Sequence, residues 1–261
     1  MTQSTLEERK KDGRQYYSMD DNIESLLNEH FEKFNISKQE ICRNFQIYTR
    51  RIYLKRFLAH YEFFQKVINL PGDIVELGVY RGASLMSWAN FLEIRCMGHR
   101  QKQIFGFDNF QGFNSFDEKD GKEDSLNNKT INGYNSEVFE DILKDAISIY
   151  DKDRFIPYKS RVVLIKGDIT ETLPKFIIDN PGLRVSLLHF DCDMYKPTKI
   201  ALELLYPLVV QSGVILFDEY GIRPWQGESN AVDEYFANKN IIIKCLDWSS
   251  APGGYIIKGS K

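Results

Sequence analysis

Hydrophobic residues recur along this chain with two different spacings, and the change between them divides the sequence near residue 70. In the N-terminal part they recur every three to four positions, which is the spacing of an amphipathic helix. Two stripes show it, one made of Ile23, Leu26, Leu27 and Phe31 and the other of Ile52, Leu54, Phe57, Leu58, Tyr61 and Phe64. The pattern therefore predicts a helical segment, or cap, over residues 1–70.

From residue 71 onward, short apolar runs alternate with helical stretches. Five such runs cover residues 74–77, 104–107, 162–165, 185–190 and 214–217. Strands that alternate with helices form a parallel sheet that is covered on both faces. Two further runs, residues 241–245 and 255–258, flank a turn-rich segment and predict a terminal antiparallel hairpin. We therefore expect an α/β domain over residues 71–261, with a mostly parallel sheet of seven strands and helices on both faces.

A long polar passage, residues 116–137, separates the second predicted strand from the third and leads into a helical stretch that ends near residue 150. Loops this long are uncommon in compact domains and are often functional. Residues 116–150 are therefore predicted to form a lid-like insertion at an active site, and a solvated surface loop is the alternative.

Charge and composition exclude several classes of partner. The chain has 34 basic and 37 acidic residues, a net charge of −3, so it lacks the basic field of a nucleic-acid-binding protein. No uncharged apolar stretch reaches the roughly 18 residues that a membrane span requires. The N-terminus carries no apolar signal segment. We expect a cytoplasmic protein with no nucleic-acid or membrane partner.

The loop after the first predicted strand carries Glu76, Gly78 and Gly82, and a helix follows it. Glycines let the backbone approach a ligand closely, and a helix N-terminus attracts negative charge. The spacing E-x-G-x-x-x-G departs from the G-x-G-x-x-G fingerprint of dinucleotide sites, which disfavours NAD. An acidic residue before the first glycine suits an ammonium or sulfonium group, whereas it would repel a pyrophosphate. A simple tight turn is the alternative.

Two aspartates follow the second and third predicted strands, where ligands bind in open α/β sheets. Asp108 could accept hydrogen bonds from both hydroxyls of a ribose, and Asp168 could accept one from an adenine amino group. Either could instead cap a helix or a turn. Both interpretations stay open on the sequence alone.

Four carboxylates follow the fourth and fifth predicted strands: Asp191, Asp193, Asp218 and Glu219. Adjacent parallel strands bring their carboxyl ends together, and like charges gathered there indicate a bound cation or raised pKa values. Oxygen ligands without a histidine or cysteine cluster favour Mg²⁺, Mn²⁺ or Ca²⁺ over Zn²⁺. A solvated rim or helix caps are the alternative. His189, inside the fourth run, is interpreted as a packed core residue rather than a base.

Four separated motifs resemble the macrocin O-methyltransferase family. They are PGDIVELGVYRG at residues 71–82, DCDMYKPT at 191–198, GVILFDEYG at 213–221 and GESNAVD at 227–233, and the resemblance extends over residues 56–258. It implies the Rossmann-like fold of class I S-adenosylmethionine-dependent methyltransferases. It also implies an enzyme that methylates sugar hydroxyls with Mg²⁺, or Mn²⁺, at its active site.

The resemblance also implies roles for individual residues. Those implied to bind the cofactor are Glu76, Gly78 and Gly82 at its methionine end, with Tyr80 and Ser84 in the same loop, Asp108 at the ribose and Asp168 at the adenine. Asp191, Asp218 and Glu219 match the metal ligands, and Asp193 matches the general base. The family usually has paired aspartates where this chain has Asp218-Glu219, so one ligand is longer by a methylene group.

These features together predict a divalent-metal-assisted transfer of a methyl group from S-adenosylmethionine to a sugar hydroxyl. The acceptor would be a small sugar-containing molecule, either a surface polysaccharide unit or a natural-product sugar. The alternatives are a metal-dependent phosphoester hydrolase, an N-methyltransferase on an amino sugar, a dehydrogenase, and a nucleoside-binding interaction module. The N-terminal apolar stripes could serve a homo-oligomer.

Overall fold

The computed structural model describes residues 17–259, and its six strands form a single sheet within residues 73–257. The strand order is β3-β2-β1-β4-β5-β6, and every pairing is parallel except that of β5 with β6. The strands are β1 (Asp73–Leu77), β2 (Ile104–Asp108), β3 (Val162–Lys166), β4 (Val185–Phe190), β5 (Val209–Phe217) and β6 (Gly254–Ile257). The predicted parallel α/β sheet is confirmed.

The described residues also form nine α-helices. They are α1 (Tyr17–Lys33), α2 (Lys38–Arg43), α3 (Phe45–Tyr48), α4 (Arg51–Val67), α5 (Ala83–Cys96), α6 (Glu137–Asp153), α7 (Ile169–Asp179), α8 (Tyr195–Leu205) and α9 (Gln226–Phe236). Each helix within residues 17–259 falls short of the length and apolar character that a membrane span needs.

The chain divides into two compact units between Leu54 and Lys55. In the first unit, Arg50 and Tyr53 both donate hydrogen bonds to the Glu24 carboxylate, at 3.2 and 3.0 Å. The division falls inside α4, well before the boundary predicted near residue 70. The reason is that the later turns of α4 bury Phe63 and other apolar side chains in the core of the second unit.

Alternation along the strands sends neighbouring side chains to opposite faces of the sheet. Leu187 packs on one face in a cluster with Trp88 of α5. Leu188, the next residue, packs on the other face in a cluster with Phe217 and with Val232 of α9. Both faces are therefore covered, as the sequence predicted.

The predicted seventh strand, residues 241–245, is wrong. Only Lys244 in this run pairs with β6, through reciprocal backbone hydrogen bonds with Tyr255 of 2.9 and 2.7 Å. The chain leaves the sheet edge immediately afterwards because Leu246 turns into the core, so no ladder forms beyond that one pair. The terminal antiparallel pair is instead β6 against β5, with Val214 to Phe217 in register.

The polar passage between β2 and α6 is packed against the rest of the unit. Within it, 3-10 turns form at Glu118–Asp120 and Ser125–Asn127. The buried Asp120 carboxylate accepts the backbone N–H groups of Tyr195 and Asp117, each at 2.7 Å. The buried Lys129 ammonium donates to the carbonyl groups of Asp120 and Pro224. Residues 109–136 are thus anchored to the N-terminus of α8 and to the segment before α9.

Candidate active site

A cavity of about 670 Å³ lies at the carboxyl ends of the five parallel strands, β1 to β5. This volume falls within the roughly 300–1,000 Å³ of small-molecule sites. Of the residues assigned to a site from the sequence, nine line the cavity, namely Gly78, Tyr80, Ser84, Asp108, Asp168, Asp191, Asp193, Asp218 and Glu219. The structure therefore brings together residues that are up to 141 positions apart in the sequence (219 − 78 = 141).

Gly78 ends β1 in a conformation that only glycine adopts without strain. Its φ is +90°, and its N–H donates to the Phe107 carbonyl at 2.9 Å. A Cβ atom at this position would lie 1.9 Å from the Asp191 carbonyl oxygen. The loop after β1 can therefore run against the end of β4 only if residue 78 has no side chain.

Asp108 holds that loop in place. Its Oδ2 atom accepts the N–H groups of Val79 and Tyr80, each at 2.7 Å, and its Oδ1 atom accepts that of Phe110 at 2.6 Å. The loop ends at Gly82, which has a φ of +85° and precedes the first turn of α5. Gly82 is buried against Leu143 rather than part of the cavity wall. Asp108 thus shapes the loop, and a contact with a ribose stays a prediction.

Asp168 lies on the cavity wall and is also the N-cap of α7. Its Oδ1 atom accepts the Thr170 N–H at 2.8 Å and the Thr170 hydroxyl at 2.7 Å. The capping role that the sequence left open is present in the structure, and the exposed side chain still borders the cavity. Recognition of an adenine by Asp168 stays a prediction.

Glu76 lies in the interior rather than on the cavity wall. It shares a sheet face with Ile74, where α5 packs, because side chains alternate along β1. Its Oε2 atom accepts the Trp88 indole N–H at 2.7 Å and lies 3.2 Å from Nδ1 of His189. Its Oε1 atom is buried and has no hydrogen-bond partner among the described residues. Glu76 therefore anchors α5 and His189 beneath the site.

Arg56 of α4 enters the acidic cluster, which sequence analysis did not foresee. Its Nη1 atom donates to Oδ2 of Asp218 and its Nη2 atom to Oδ2 of Asp191, each at 2.8 Å. Nη2 also lies 3.3 Å from the Ser84 hydroxyl oxygen, which accepts from it. A signal was present in the sequence, because Arg56 and His60 interrupt an apolar helical stripe at a spacing of four residues.

Burial and mutual repulsion shift the pKa values of three carboxylates upward. Burial, and then the charge of Asp218, raise the pKa of Asp191 to about 7 although Arg56 opposes the change. Burial, Asp218 and Asp191 raise the pKa of Glu219 to about 8. Burial, Glu219 and Asp191 raise the pKa of Asp193 well above its ordinary value. The acidic cluster therefore carries more negative charge than the neighbouring basic side chains neutralise.

The pKa of Asp218 shifts in the opposite direction. Burial alone would raise its pKa, but Arg56 and His189 outweigh that effect and hold the pKa well below the ordinary value. Its Oδ2 atom is bound by Arg56, whereas its Oδ1 atom is buried and has no hydrogen-bond partner in the described structure. Carboxylate oxygens are the ligands that hard divalent cations prefer. Asp191, Asp218 and Glu219 therefore fit a cation in their chemistry.

His189 lies fully buried between two carboxylates. Its Nε2 atom is 3.6 Å from Oδ1 of Asp218, and Glu76 lies at its other nitrogen. Burial would lower the pKa of His189, but Asp218 and Glu76 raise it to about 9. His60 packs beside it, with ring centroids 5.3 Å apart. One nitrogen from each ring and an Asp218 oxygen lie within 4.8 Å of one another, beneath the cavity.

Three residues of the cavity wall have backbone conformations that are rare outside glycine. Tyr80, Tyr134 and Asp193 have φ values of +52°, +56° and +63°. Such conformations persist where the surrounding structure enforces them, and they concentrate at functional sites. In this cavity they aim two aromatic rings and one carboxylate at a shared space.

Glu228 of α9 contacts the acidic cluster, a role that was not predicted from the sequence. It is fully buried, and its Oε1 atom accepts the Glu219 N–H at 2.9 Å. Burial, and then the charges of Glu219 and Asp193, raise its pKa well above the ordinary value. Its position beside the apolar Ala231 and Val232 of α9 was the available signal.

The family model described as Macrocin-O-methyltransferase (TylF) matches residues 52–251. Demethyldecarbamoylnovobiocin O-methyltransferase of Streptomyces niveus is 29% identical over 177 residues, which is 66% of this chain and 61% of the relative. Mycinamicin III 3''-O-methyltransferase of Micromonospora griseorubida is 27% identical over 169 residues, 64% of this chain and 61% of the relative. The chain thus matches about three fifths of the length of these curated relatives.

Among solved structures, that of the calicheamicin methyltransferase CalS11 superposes with a TM-score of 0.84 at 26% identity, over 90% of this chain and 91% of that protein. This likeness confirms the predicted Rossmann-like methyltransferase fold. The family model covers well over half of the chain, including the loop after β1 and all four clustered carboxylates. The chain therefore belongs to the macrocin-O-methyltransferase (TylF) family.

Proposed function

We propose that this chain transfers a methyl group from S-adenosylmethionine to a hydroxyl group of a sugar or glycoside. The observation that supports this most is that one cavity joins the glycine loop after β1 to the carboxylates after β4 and β5. Family membership points the same way, as do the activities by which the relatives are named.

The cofactor would lie along the loop between β1 and α5. Gly78, Tyr80, Ser84 and Asp108 all border this part of the cavity. Asp168, at the far end of the cavity wall, is our candidate contact for the adenine. Glu76 acts indirectly in this account, because it fixes Trp88 and thus the position of α5.

Asp191, Asp218 and Glu219 would hold a divalent cation, Mg²⁺ or Mn²⁺. When bound, such a cation supplies positive charge that lowers the pKa of a neighbouring hydroxyl group. An alcohol needs this help because a carboxylate alone is too weak a base for it. The raised pKa values of Asp191 and Glu219 are consistent with a cluster that is short of positive charge.

Asp193 is the candidate general base. It lines the cavity beside Glu219, where its carboxylate could accept a proton from a bound hydroxyl group. Its backbone conformation, with a φ of +63°, is of the strained kind that concentrates at functional sites. In the proposed mechanism Asp193 receives the proton of the acceptor hydroxyl while the chain keeps that oxygen in line with the methyl group.

Aromatic side chains form the wall on which the acceptor would rest. The ring of Tyr134 lies 5.4 Å from that of Tyr80 and 5.9 Å from that of Phe113, centroid to centroid, and all three border the cavity. Apolar faces of sugar rings suit such surfaces, and the aromatic wall also excludes water from the reacting atoms. A sugar-containing small molecule is therefore the acceptor class that we propose.

A transfer assay tests this function. The protein is incubated with S-adenosylmethionine labelled in its methyl group, Mg²⁺, and a panel of nucleotide-linked sugars and glycosylated natural products. We expect label on at least one acceptor, and a loss of about a hundredfold or more in kcat for Asp193→Asn. Asp141→Asn is the matched control, because that side chain is 95% exposed on α6. Undiminished transfer by Asp193→Asn would show that Asp193 is not the base.

A further inference from the structure

The guanidinium of Arg56 already bridges two of the carboxylates assigned to the cation. It binds one oxygen of Asp191 and one of Asp218, each at 2.8 Å. Charge-assisted contacts of this kind are among the stronger hydrogen bonds in proteins, and the planar fork of arginine suits two carboxylates at once. A positive charge therefore stands where the family resemblance implies a metal ion.

The helix α4 holds the Arg56 side chain in place beside the carboxylates. Ala59 and Phe63, which follow Arg56 on this helix, are fully buried in the core. The Ser84 hydroxyl also accepts from the guanidinium, which is a third contact that keeps it in place. The Arg56 side chain is 33% exposed and borders the cavity, so a ligand in the cavity can reach it.

We propose that Arg56 is a built-in counter-ion that competes with the divalent cation for Asp191 and Asp218. The cation gains full access to these two carboxylates only when the guanidinium releases at least one of them. This inference rests on the proposed function, because it takes the acidic cluster as the cation site.

This competition has two consequences, one for the cation-free protein and one for the affinity of the cation. The acidic cluster stays neutralised in part when no cation is bound, since Arg56 prevents Asp191 and Asp218 from facing each other unpaired. The cation is held more weakly than three carboxylates alone would hold it, because the guanidinium competes for two of them and its positive charge stays nearby. Arg56 would thus keep the cation exchangeable.

Titration of Mn²⁺ into the chelator-treated protein, followed by the electron paramagnetic resonance signal of free Mn²⁺, measures this competition. We expect Arg56→Gln to bind Mn²⁺ at least about tenfold more tightly than the unsubstituted protein, because a like charge is removed and two oxygens are freed. Arg56→Lys should fall between them, since an ammonium keeps the charge without the two-armed bridge. Lys55→Gln is the matched control: it removes an equal charge from the exposed adjacent position and should leave Mn²⁺ affinity unchanged.

Equal or weaker Mn²⁺ binding by Arg56→Gln would overturn the inference. If Arg56→Gln does not fold, the melting temperatures of Arg56→Lys and the unsubstituted protein are compared with and without Mn²⁺. A larger Mn²⁺-dependent rise in Arg56→Lys supports competition, and an equal or smaller rise refutes it. S-adenosylhomocysteine is titrated into the unsubstituted protein in parallel. Its failure to bind would contradict the methyltransferase proposal, whereas the Mn²⁺ results alone decide the role of Arg56.

Discussion

Gly78 shows how a single backbone position can control the proposed cofactor site. Its φ of +90° is unfavourable for other residues, and the Asp191 carbonyl occupies the space that a side chain would need. The contact joins the end of β1 to the end of β4, which are neighbours in the sheet. The loop and the acidic cluster therefore depend on each other through one residue without a side chain.

We predict that Gly78→Ala lowers the free energy of unfolding by at least about 1–3 kcal/mol, because the backbone conformation is strained for alanine and the Asp191 carbonyl occupies the position of the new Cβ atom. The variant should also weaken S-adenosylhomocysteine binding at least tenfold, or about 1.4 kcal/mol. Thermal denaturation and calorimetric titration measure the two effects. Gly98→Ala is the matched control, because no atom lies within 4 Å of a Cβ built there. Similar behaviour of the two variants would contradict the close approach between Gly78 and Asp191.

At the scale of elements, the segment 109–136 forms part of the cavity wall through a few buried polar contacts. Asp120 is the centre of these contacts, since its two oxygens accept backbone N–H groups of Tyr195 and Asp117. A Cβ on Gly227 of α9 would lie 1.9 Å from Oδ1 of Asp120, so the segment also packs tightly on that helix. Whether the segment moves as a lid stays a prediction.

We predict that Asp120→Ala destabilises the protein by about 1–3 kcal/mol, because two buried N–H groups lose their acceptor. Limited proteolysis should then cut the segment 109–136 faster than in the unsubstituted protein. Asp145→Ala, at an exposed position on α6, is the control and should change neither measurement. Unchanged stability and cleavage in Asp120→Ala would mean that other contacts anchor the segment.

Among the strands, β1 to β4 could be predicted from the sequence, whereas the outcome for residues 241–245 could not. The strands β1 to β4 are short and mostly apolar runs, and their bounds lie within one residue of those predicted. Residues 241–245 have a similar composition, but strand pairing depends on what lies beside the run, and there Leu246 leaves the sheet edge for the core. The hydrophobic pattern of residues 241–245 does not by itself show what lies beside this run in the folded chain.

The residues of the candidate site also divide into those that the sequence predicts and those that it does not. Asp108, Asp191, Asp193 and Glu219 follow strands, so the parallel topology alone predicts that they meet at one edge. Arg56 comes from a helix that is 135 residues before Asp191 in the chain, and its contact is a tertiary one. Glu76 was assigned to the cofactor from its place in a motif, whereas strand alternation directs its side chain to Trp88 and His189.

For the whole molecule, the balance of charge around the cavity sets the response to pH. Folding raises the pKa of Asp191 from 3.8 to about 7 and that of Glu219 from 4.5 to about 8. The folded protein therefore binds more protons than the unfolded chain between the ordinary and the raised values, so stability decreases as pH rises through that window. His189, whose pKa rises from 6.5 to about 9, adds to the same trend.

We predict that, in the presence of a chelator, the melting temperature falls as the pH rises from 4.5 to about 8. Glu219→Gln should show a shallower fall, because that variant lacks one of the titrating groups. Mg²⁺ should also make the fall shallower, since the cation favours the deprotonated carboxylates. An identical pH profile for Glu219→Gln and the unsubstituted protein would contradict the raised pKa of Glu219.

Calorimetric titration of S-adenosylhomocysteine tests most directly whether the cavity binds S-adenosylmethionine. The titration is made into chelator-treated protein, repeated with Mg²⁺, and accompanied by NAD as the control ligand. We predict saturable binding of S-adenosylhomocysteine and none of NAD, because Gly78 and Gly82 do not form the dinucleotide fingerprint. Absence of S-adenosylhomocysteine binding in both conditions would contradict the methyltransferase account.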